Sequence, residues 1–207
     1  RTDCRDNNLQ KTIRMNMKKI ILASSSPRRI EMLKRYVDIT TSAPSTEEKV
    51  NSFEHPQTTV MKVAFEKALN TYLKHEENAL IIAADTIVYQ DKIMGKPKNE
   101  KEAYEMLSLL SGKAHCVYTG ICIIDAENSK KVVDYEKTTV VFNELTKELI
   151  ERYLKTNEYQ DKAGAYGIQG YGELLVKEIH GCYNNVKGLP LTKLNNLLTK
   201  HFSINLL

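Results

Sequence analysis

Three groups of residues in this 207-residue chain have the types and spacing that chemistry on a polyanion would use. The first is the stretch Ser24-Ser25-Ser26-Pro27-Arg28-Arg29, which directly follows the apolar run Ile20-Ile21-Leu22. Ser26 is a good N-cap and Pro27 a good first helical residue, since its missing N–H costs nothing there. A helix beginning at a strand's end aims unpaired backbone N–H groups and the positive end of its dipole at one spot, a ready seat for phosphate oxygens. The dipole disfavours Arg28 and Arg29 in that first turn unless an anion is bound, and guanidinium forks hold phosphates bidentately. The plain alternative is a capped surface helix with solvated arginines.

The second group centres on Asp85, which interrupts the most apolar segment of the chain, residues 79–90. A carboxylate at the end of an apolar strand needs a partner to stay ionised: a metal ion, a lysine or a reacting water. The lysine candidates are Lys67, on the flank of a helix's apolar face beside Val60 and Val63, and Lys96 in the tight turn Met94-Gly95-Lys96-Pro97. Each also reads as an ordinary surface or snorkelling lysine. The third group is the adjacent acids Glu47 and Glu48 in a polar loop, suited to a hard divalent cation or simply solvated. Glycines 164, 167, 170 and 172 could let backbone approach a ligand closely.

These residues need elements to position them. Lys19 to Ala23 reads as a strand, followed through the serines by a helix carrying Ile30, Leu33 and Val37. Residues 38–43 form a second strand, and Thr58 to about Glu76 a long helix with Met61, Phe65, Ala68, Leu69 and Tyr72 on one face. The unbroken β-forming run 79–90 predicts a strand buried on both faces. Asn99 with Glu102 starts another helix and Gly112 ends it. Segments 115–125 and 131–142 follow as strands joined by a polar turn, then a short helix from Thr146 to Lys155, a strand at 173–179 and a last helix with Leu191, Leu194, Leu197 and Leu198. Alternating strands and helices with inserted hairpins predict an α/β fold with a mixed sheet.

Composition narrows the partners. The chain is 42% hydrophobic and 27% charged, enough for a sizeable core, and its net charge of +4 favours anionic small molecules. Without a dense Lys/Arg block or an aromatic-interleaved basic patch, nucleic acid is not an expected partner. No run approaches the roughly 18 apolar residues of a membrane span, so no membrane is expected either. Four scattered cysteines without a C-x-x-C pair favour a reducing, cytoplasmic setting, with Cys116 and Cys122 on one face of a strand. Residues 1–17 are polar and are expected to be a disordered N-terminal extension, with residues 18–207 forming one domain.

Six motifs, LASSSPRR at 22–29, AADT at 83–86, GKP at 95–97, LSG at 110–112, DKAGAYGIQG at 161–170 and GLPL at 188–191, stand in one order and spacing. In this the chain resembles the Maf family of nucleoside triphosphate pyrophosphatases from about residue 18 to 202. The resemblance implies the Maf/HAM1 (ITPase-like) α/β fold, an elongated mixed sheet with a cleft between two lobes, and a homodimer. It implies hydrolysis of a nucleoside triphosphate between the α and β phosphates, with Mg²⁺ or Mn²⁺, in the removal of noncanonical nucleotides. Carried over by motif, Asp85 matches the proton acceptor, Ser24, Arg28 and Arg29 the phosphate-binding stretch, and Lys67 and Lys96 the lysines lining the site. Glu47 matches the acidic position linked to metal, with Glu48 the other candidate for that match; Asp85 as base and Asp85 as metal ligand both stay open.

A branch acting on 7-methyl-GTP inserts a bulky aromatic into the serine-proline-arginine motif and replaces ADT and GIQG. This chain keeps Arg28, Thr86 and Gln169, and so resembles the dTTP/UTP branch. A glutamine amide can both donate to and accept from a pyrimidine edge, which makes Gln169 the expected base reader. Two other readings stand beside this one. A non-catalytic nucleotide sensor regulating septum formation would keep the phosphate cradle and lose the acid and lysines. An inosine-triphosphate type of pyrophosphatase would share the fold without the SPRR and GIQG motifs.

Overall fold

Strand length explains the layout of the sheet. In the computed structural model, which describes residues 18–44, 55–74 and 78–207, β1 (Lys19–Leu22) has four residues and β3 (Ala79–Gln90) has twelve. β1 pairs in parallel with β2 (Ile39–Thr41) on one side and with Ala79 to Ile82 of β3 on the other. Beyond Ile82 that edge of β3 is next covered at Val88 to Gln90, by the short antiparallel β4 (Lys92–Met94). Among the described strands, none pairs with residues 83–87 on this edge.

The opposite edge of β3 is covered along nearly its whole length by β5 (Ala114–Asp125), then β6 (Lys131–Phe142) and β7 (Val176–His180), all antiparallel. The result is a seven-stranded mixed sheet of order β2-β1-β3-β5-β6-β7 with β4 appended to β3. Both faces of β3 are covered, as its unbroken apolar sequence requires. On one face Leu80, Ile82 and Ala84 pack with Met32 and Leu33 of α1 (Pro27–Lys34) and with Leu194 and Leu198 of α6 (Leu191–Phe202). On the other, Ile81 and Ala83 pack with Ala64 and Ala68 of α2 (Pro56–Tyr72). A further core joins Val88 and Met94 to α3 (Glu100–Leu110) and α4 (Lys147–Leu154). The expected α/β class with a helix-flanked mixed sheet is therefore observed.

Local signals set most boundaries. Asn99 Oδ1 accepts the Glu102 N–H and Thr146 Oγ1 accepts the Leu149 N–H, two side-chain caps that fix the starts of α3 and α4. Gly112 follows α3 at φ +66°, the left-handed stop that favours glycine. Cys116 and Cys122 lie six positions apart on β5 and face α2, where burial pushes the Cys122 thiol up to about 12.

Three expectations change. The buried face of α2 runs through Val60, Val63, Ala64, Lys67, Ala68 and Thr71, while Met61, Phe65, Leu69 and Tyr72 flank it. The cause lies on β5: a methyl group on Gly120 would sit 2.2 Å from the Val60 carbonyl oxygen, so the helix rests on bare backbone and small residues occupy the contact. The strand expected at 173–179 begins at Val176. Residues Gly170–Leu175 form a 3-10 turn instead, because both Glu158 carboxylate oxygens accept backbone N–H groups, from Tyr171 and Gly172, and bend the chain. A short helix, α5 (Tyr183–Lys187), precedes the last one and stops at Gly188, φ +110°. Residues 1–17 lie outside the described residues. Among those described, no helix is long and apolar enough to cross a membrane.

Candidate active site

The edge of β3 that no described strand pairs is one wall of a cavity of about 580 Å³, a size typical of small-ligand sites. Its other walls are the β1–α1 junction, the Gly95-Lys96 turn, the stretch from Gln160 to Tyr166 and the end of α5. Among the described residues, six basic ones line it (Arg28, Arg29, Lys67, Lys96, Lys162 and Lys187) against two acidic ones, Asp85 and Asp161. Such a wall selects an anion.

Asp85 sits in the middle of β3, which runs from Ala79 to Gln90 as the apolar run predicts, and not at a strand end. It reaches the cavity since no described strand pairs with it on the edge that β1 and β4 cover elsewhere. Its neighbour across the sheet is Gly120, on whose bare backbone α2 rests. That close approach carries Lys67, two helical turns after Val60, down onto Asp85. Lys67 Nζ donates to Asp85 Oδ1 at 2.7 Å, with both side chains 7% exposed. Of the partners expected for such an acid (a metal ion, a lysine or a reacting water), the lysine is supplied by the helix across the sheet face.

Strand alternation puts Thr86 on the opposite face. There Arg29 donates from Nη2 to Thr86 Oγ1 at 2.9 Å and from Nε to the Gly188 carbonyl at 2.7 Å. The Thr119 hydroxyl donates to the Asn185 carbonyl, so the Thr86 hydroxyl donates to Thr119, 2.9 Å away. Fully buried Asn185 in turn donates to Val117 O and Thr138 Oγ1. This relay holds Arg29 in one orientation.

The start of α1 is built differently from expectation in one respect. Ser26 occupies the N-cap position and Pro27 follows, yet the Ser26 side chain makes no cap bond. Instead the buried Ser24 accepts the Ser26 N–H at 3.1 Å, turning the chain from β1 into the helix. Arg28 is half-buried in the cavity wall, and desolvation lowers its pKa. The Gly164 N–H bonds to Gly95 O, tying the Lys96 turn to the glycine-dense segment.

The cavity therefore brings together Ser24, Arg28, Arg29, Lys67, Asp85, Thr86 and Lys96 of the residues singled out in the sequence. Gln169 is exposed, before the 3-10 turn, and is not among the residues lining the cavity. Glu47 and Glu48 lie outside the described residues. Gly120, Lys162 and the Thr119–Asn185 relay were not found by sequence reasoning; the lysine of DKAG at 161–164 was the only local signal available.

Among the described residues no group of three or more His, Cys, Asp or Glu side chains could hold a metal ion. A magnesium-type ion nevertheless binds through as few as one or two carboxylates together with substrate phosphates. Among the described residues one buried carboxylate, Asp85, faces this cationic cavity, and that donor fits an ion arriving with a phosphate ligand.

A protein of Alkaliphilus oremlandii named dTTP/UTP pyrophosphatase is 48% identical over 192 residues, covering 92% of this chain and 100% of its own. One of the same name from Clostridioides difficile is 50% identical over 189 residues, covering 90% and 97%. The solved nucleoside-triphosphatase / dITP/XTP pyrophosphatase of Mycobacterium abscessus aligns with 60% of this chain and 74% of its own at 14% identity and TM-score 0.41, a likeness too slight to argue from. The family model described as Maf-like protein matches residues 19–201, and with it the chain belongs to the Maf family.

Proposed function

We infer that this chain hydrolyses nucleoside triphosphates at the α–β phosphoanhydride, consuming one water and releasing a nucleoside monophosphate and pyrophosphate. The observation that carries the reading is the buried Lys67–Asp85 pair opening into a cavity walled by cations. The relatives' shared name, dTTP/UTP pyrophosphatase, supports the same reaction and the pyrimidine preference.

The chemistry follows from the placement. Asp85 orients a water and accepts its proton as the water oxygen attacks the α-phosphorus and the bridging α–β oxygen departs with pyrophosphate. Lys67, at 2.7 Å, keeps the Asp85 carboxylate ionised until that moment. Arg28, Lys96 and the start of α1 bind phosphate oxygens and offset the charge that grows on them. Ser24 shapes the turn they share, and Arg29, locked to Thr86 and Gly188, presents its guanidinium in a fixed plane to the substrate. A Mg²⁺ or Mn²⁺ ion held by Asp85 and Glu47 would, when bound, neutralise phosphate charge and lower the pKa of a coordinated water. Gln169, on the segment that follows Lys162, is the proposed reader of the pyrimidine edge. The wider assignment is removal of noncanonical nucleotides by a cytoplasmic homodimer.

The test is a panel of triphosphates (dTTP, UTP, CTP, GTP and ITP) incubated with the protein and Mg²⁺, with pyrophosphate and monophosphate measured as products. Release from dTTP and UTP ahead of the others is expected. Preference for ITP, or no release from any nucleotide, would overturn the reading.

A further inference from the structure

Lys162 belongs to no role assigned so far, yet it lines the same cavity as Arg28. The two side chains converge over one piece of backbone: a methyl group on Gly167 would lie 2.8 Å from Lys162 Cε and 3.5 Å from Arg28 Nη1. The Gly167 N–H donates to Tyr153 Oη at 3.2 Å, which fixes that backbone from below. Burial first, and then the charge of Arg28, lower the Lys162 pKa, as burial lowers that of Arg28. Two partly desolvated cations facing each other are unfavourable unless an anion lies between them.

No carboxylate of the described residues fills that place. Among those residues neither Arg28 nor Lys162 makes a side-chain hydrogen bond or ion pair. The acids that act on Lys162 are Glu158 and Asp161. Glu158 spends its two oxygens on the N–H groups of Tyr171 and Gly172, at 3.0 and 3.1 Å, and Asp161 is exposed. Arg28 and Lys162 meet over Gly167, whereas Lys67 meets Asp85 where α2 lies on β3, so the cavity holds a second cationic centre beside the paired acid and lysine.

We propose that Lys162 is a substrate-binding residue which, with Arg28, seats the pyrophosphate portion of the triphosphate and holds it as it departs. The proposal rests on the cavity's being a polyphosphate site. It divides the labour of the cations: Lys67 serves the carboxylate, Arg29 is oriented by Thr86 and Gly188, and the Arg28–Lys162 pair takes the distal phosphates.

Inorganic pyrophosphate is the probe, titrated calorimetrically into the full chain with Mg²⁺ present, against Lys162→Gln and Lys162→Arg, with dTMP as a second ligand. Losing one charge-assisted hydrogen bond weakens binding about 10- to 100-fold, so Lys162→Gln should lose that much pyrophosphate affinity and raise the KM for dTTP in step. Lys162→Arg should stay within about threefold of the parent, and dTMP should bind Lys162→Gln as it binds the parent, which also shows that the variant is folded. Unchanged pyrophosphate affinity in Lys162→Gln, equal losses for pyrophosphate and dTMP, or a parent chain that binds no pyrophosphate would each overturn the proposal. The two readings fail separately. A parent that hydrolyses dTTP while Lys162→Gln keeps its pyrophosphate affinity sinks only the Lys162 role; a parent that binds pyrophosphate through Lys162 but hydrolyses no nucleotide sinks only the enzymatic reading.

Discussion

Replacing Lys67 by methionine keeps the length of the side chain and removes its charge, leaving the Asp85 carboxylate in the wall of the sheet without the ammonium 2.7 Å away. Both side chains are 7% exposed, so the pair counts as buried, and breaking a buried pair by removing one partner costs about 3–5 kcal/mol. Asp85 borders the cavity, where water can reach it, which places the expected loss near the lower end, about 3 kcal/mol. For a chain of this size about 1 kcal/mol moves the melting temperature by roughly 2–4 °C, so Tm should fall by about 6–12 °C. Adding Asp85→Asn removes the carboxylate's charge and should return most of that loss, a coupling of about 2 kcal/mol. Urea unfolding of the parent, both single variants and the double variant, compared at equal m-values, measures all four corners of the cycle. A loss below about 1 kcal/mol in Lys67→Met, or a double variant no more stable than it, would refute the claim that these groups form a stabilising buried ion pair.

Two further outcomes follow from particular contacts. Gly120→Ala puts a methyl group 2.2 Å from the Val60 carbonyl oxygen and 2.8 Å from the Met61 nitrogen, so α2 must withdraw from the sheet. The expected cost is about 1–3 kcal/mol in stability, with a loss of about 100-fold in kcat as Lys67 leaves Asp85; urea melts and steady-state kinetics check both, and parental turnover would contradict it. The His115 imidazole, packed against Phe142 and 2.7 Å from the Tyr166 hydroxyl, has its pKa lowered by burial from 6.5 to about 4. The unfolded chain then binds the extra proton first, so stability should drop as pH falls from about 6.5 towards 4, by up to about 3 kcal/mol. His115→Gln should flatten that part of the stability profile, and a profile unchanged by the substitution would contradict it.

The parts of the site legible in the sequence are those written in short stretches. Serine, proline and two arginines after an apolar run announce a helix start at a strand end whatever the rest of the chain does, and Asp85 stands out because its neighbours are apolar. A lysine, Lys67 or Lys96, was one of the partners expected for Asp85 beside a metal ion or a water, but the pairing with Lys67 rests on α2 docking against β5. That docking depends on Gly120, thirty-five positions after Asp85 and its neighbour only through strand register. The same long-range packing rotated the buried face of α2 away from its bulkiest residues. Lys162 escaped notice because its meeting with Arg28 joins two segments that only the folded chain brings together. The 3-10 turn at Gly170–Leu175 was hidden for a similar reason: the Glu158 carboxylate that winds it lies on another turn.

The most direct measurement is single-turnover hydrolysis of dTTP by the parent chain and by Asp85→Asn, with nucleotide binding to each followed separately. Removing a general base costs about 100- to 10,000-fold. The account predicts a loss of that order in pyrophosphate release, with dTTP still bound within a few-fold of the parent. Near-parental release by Asp85→Asn would contradict it.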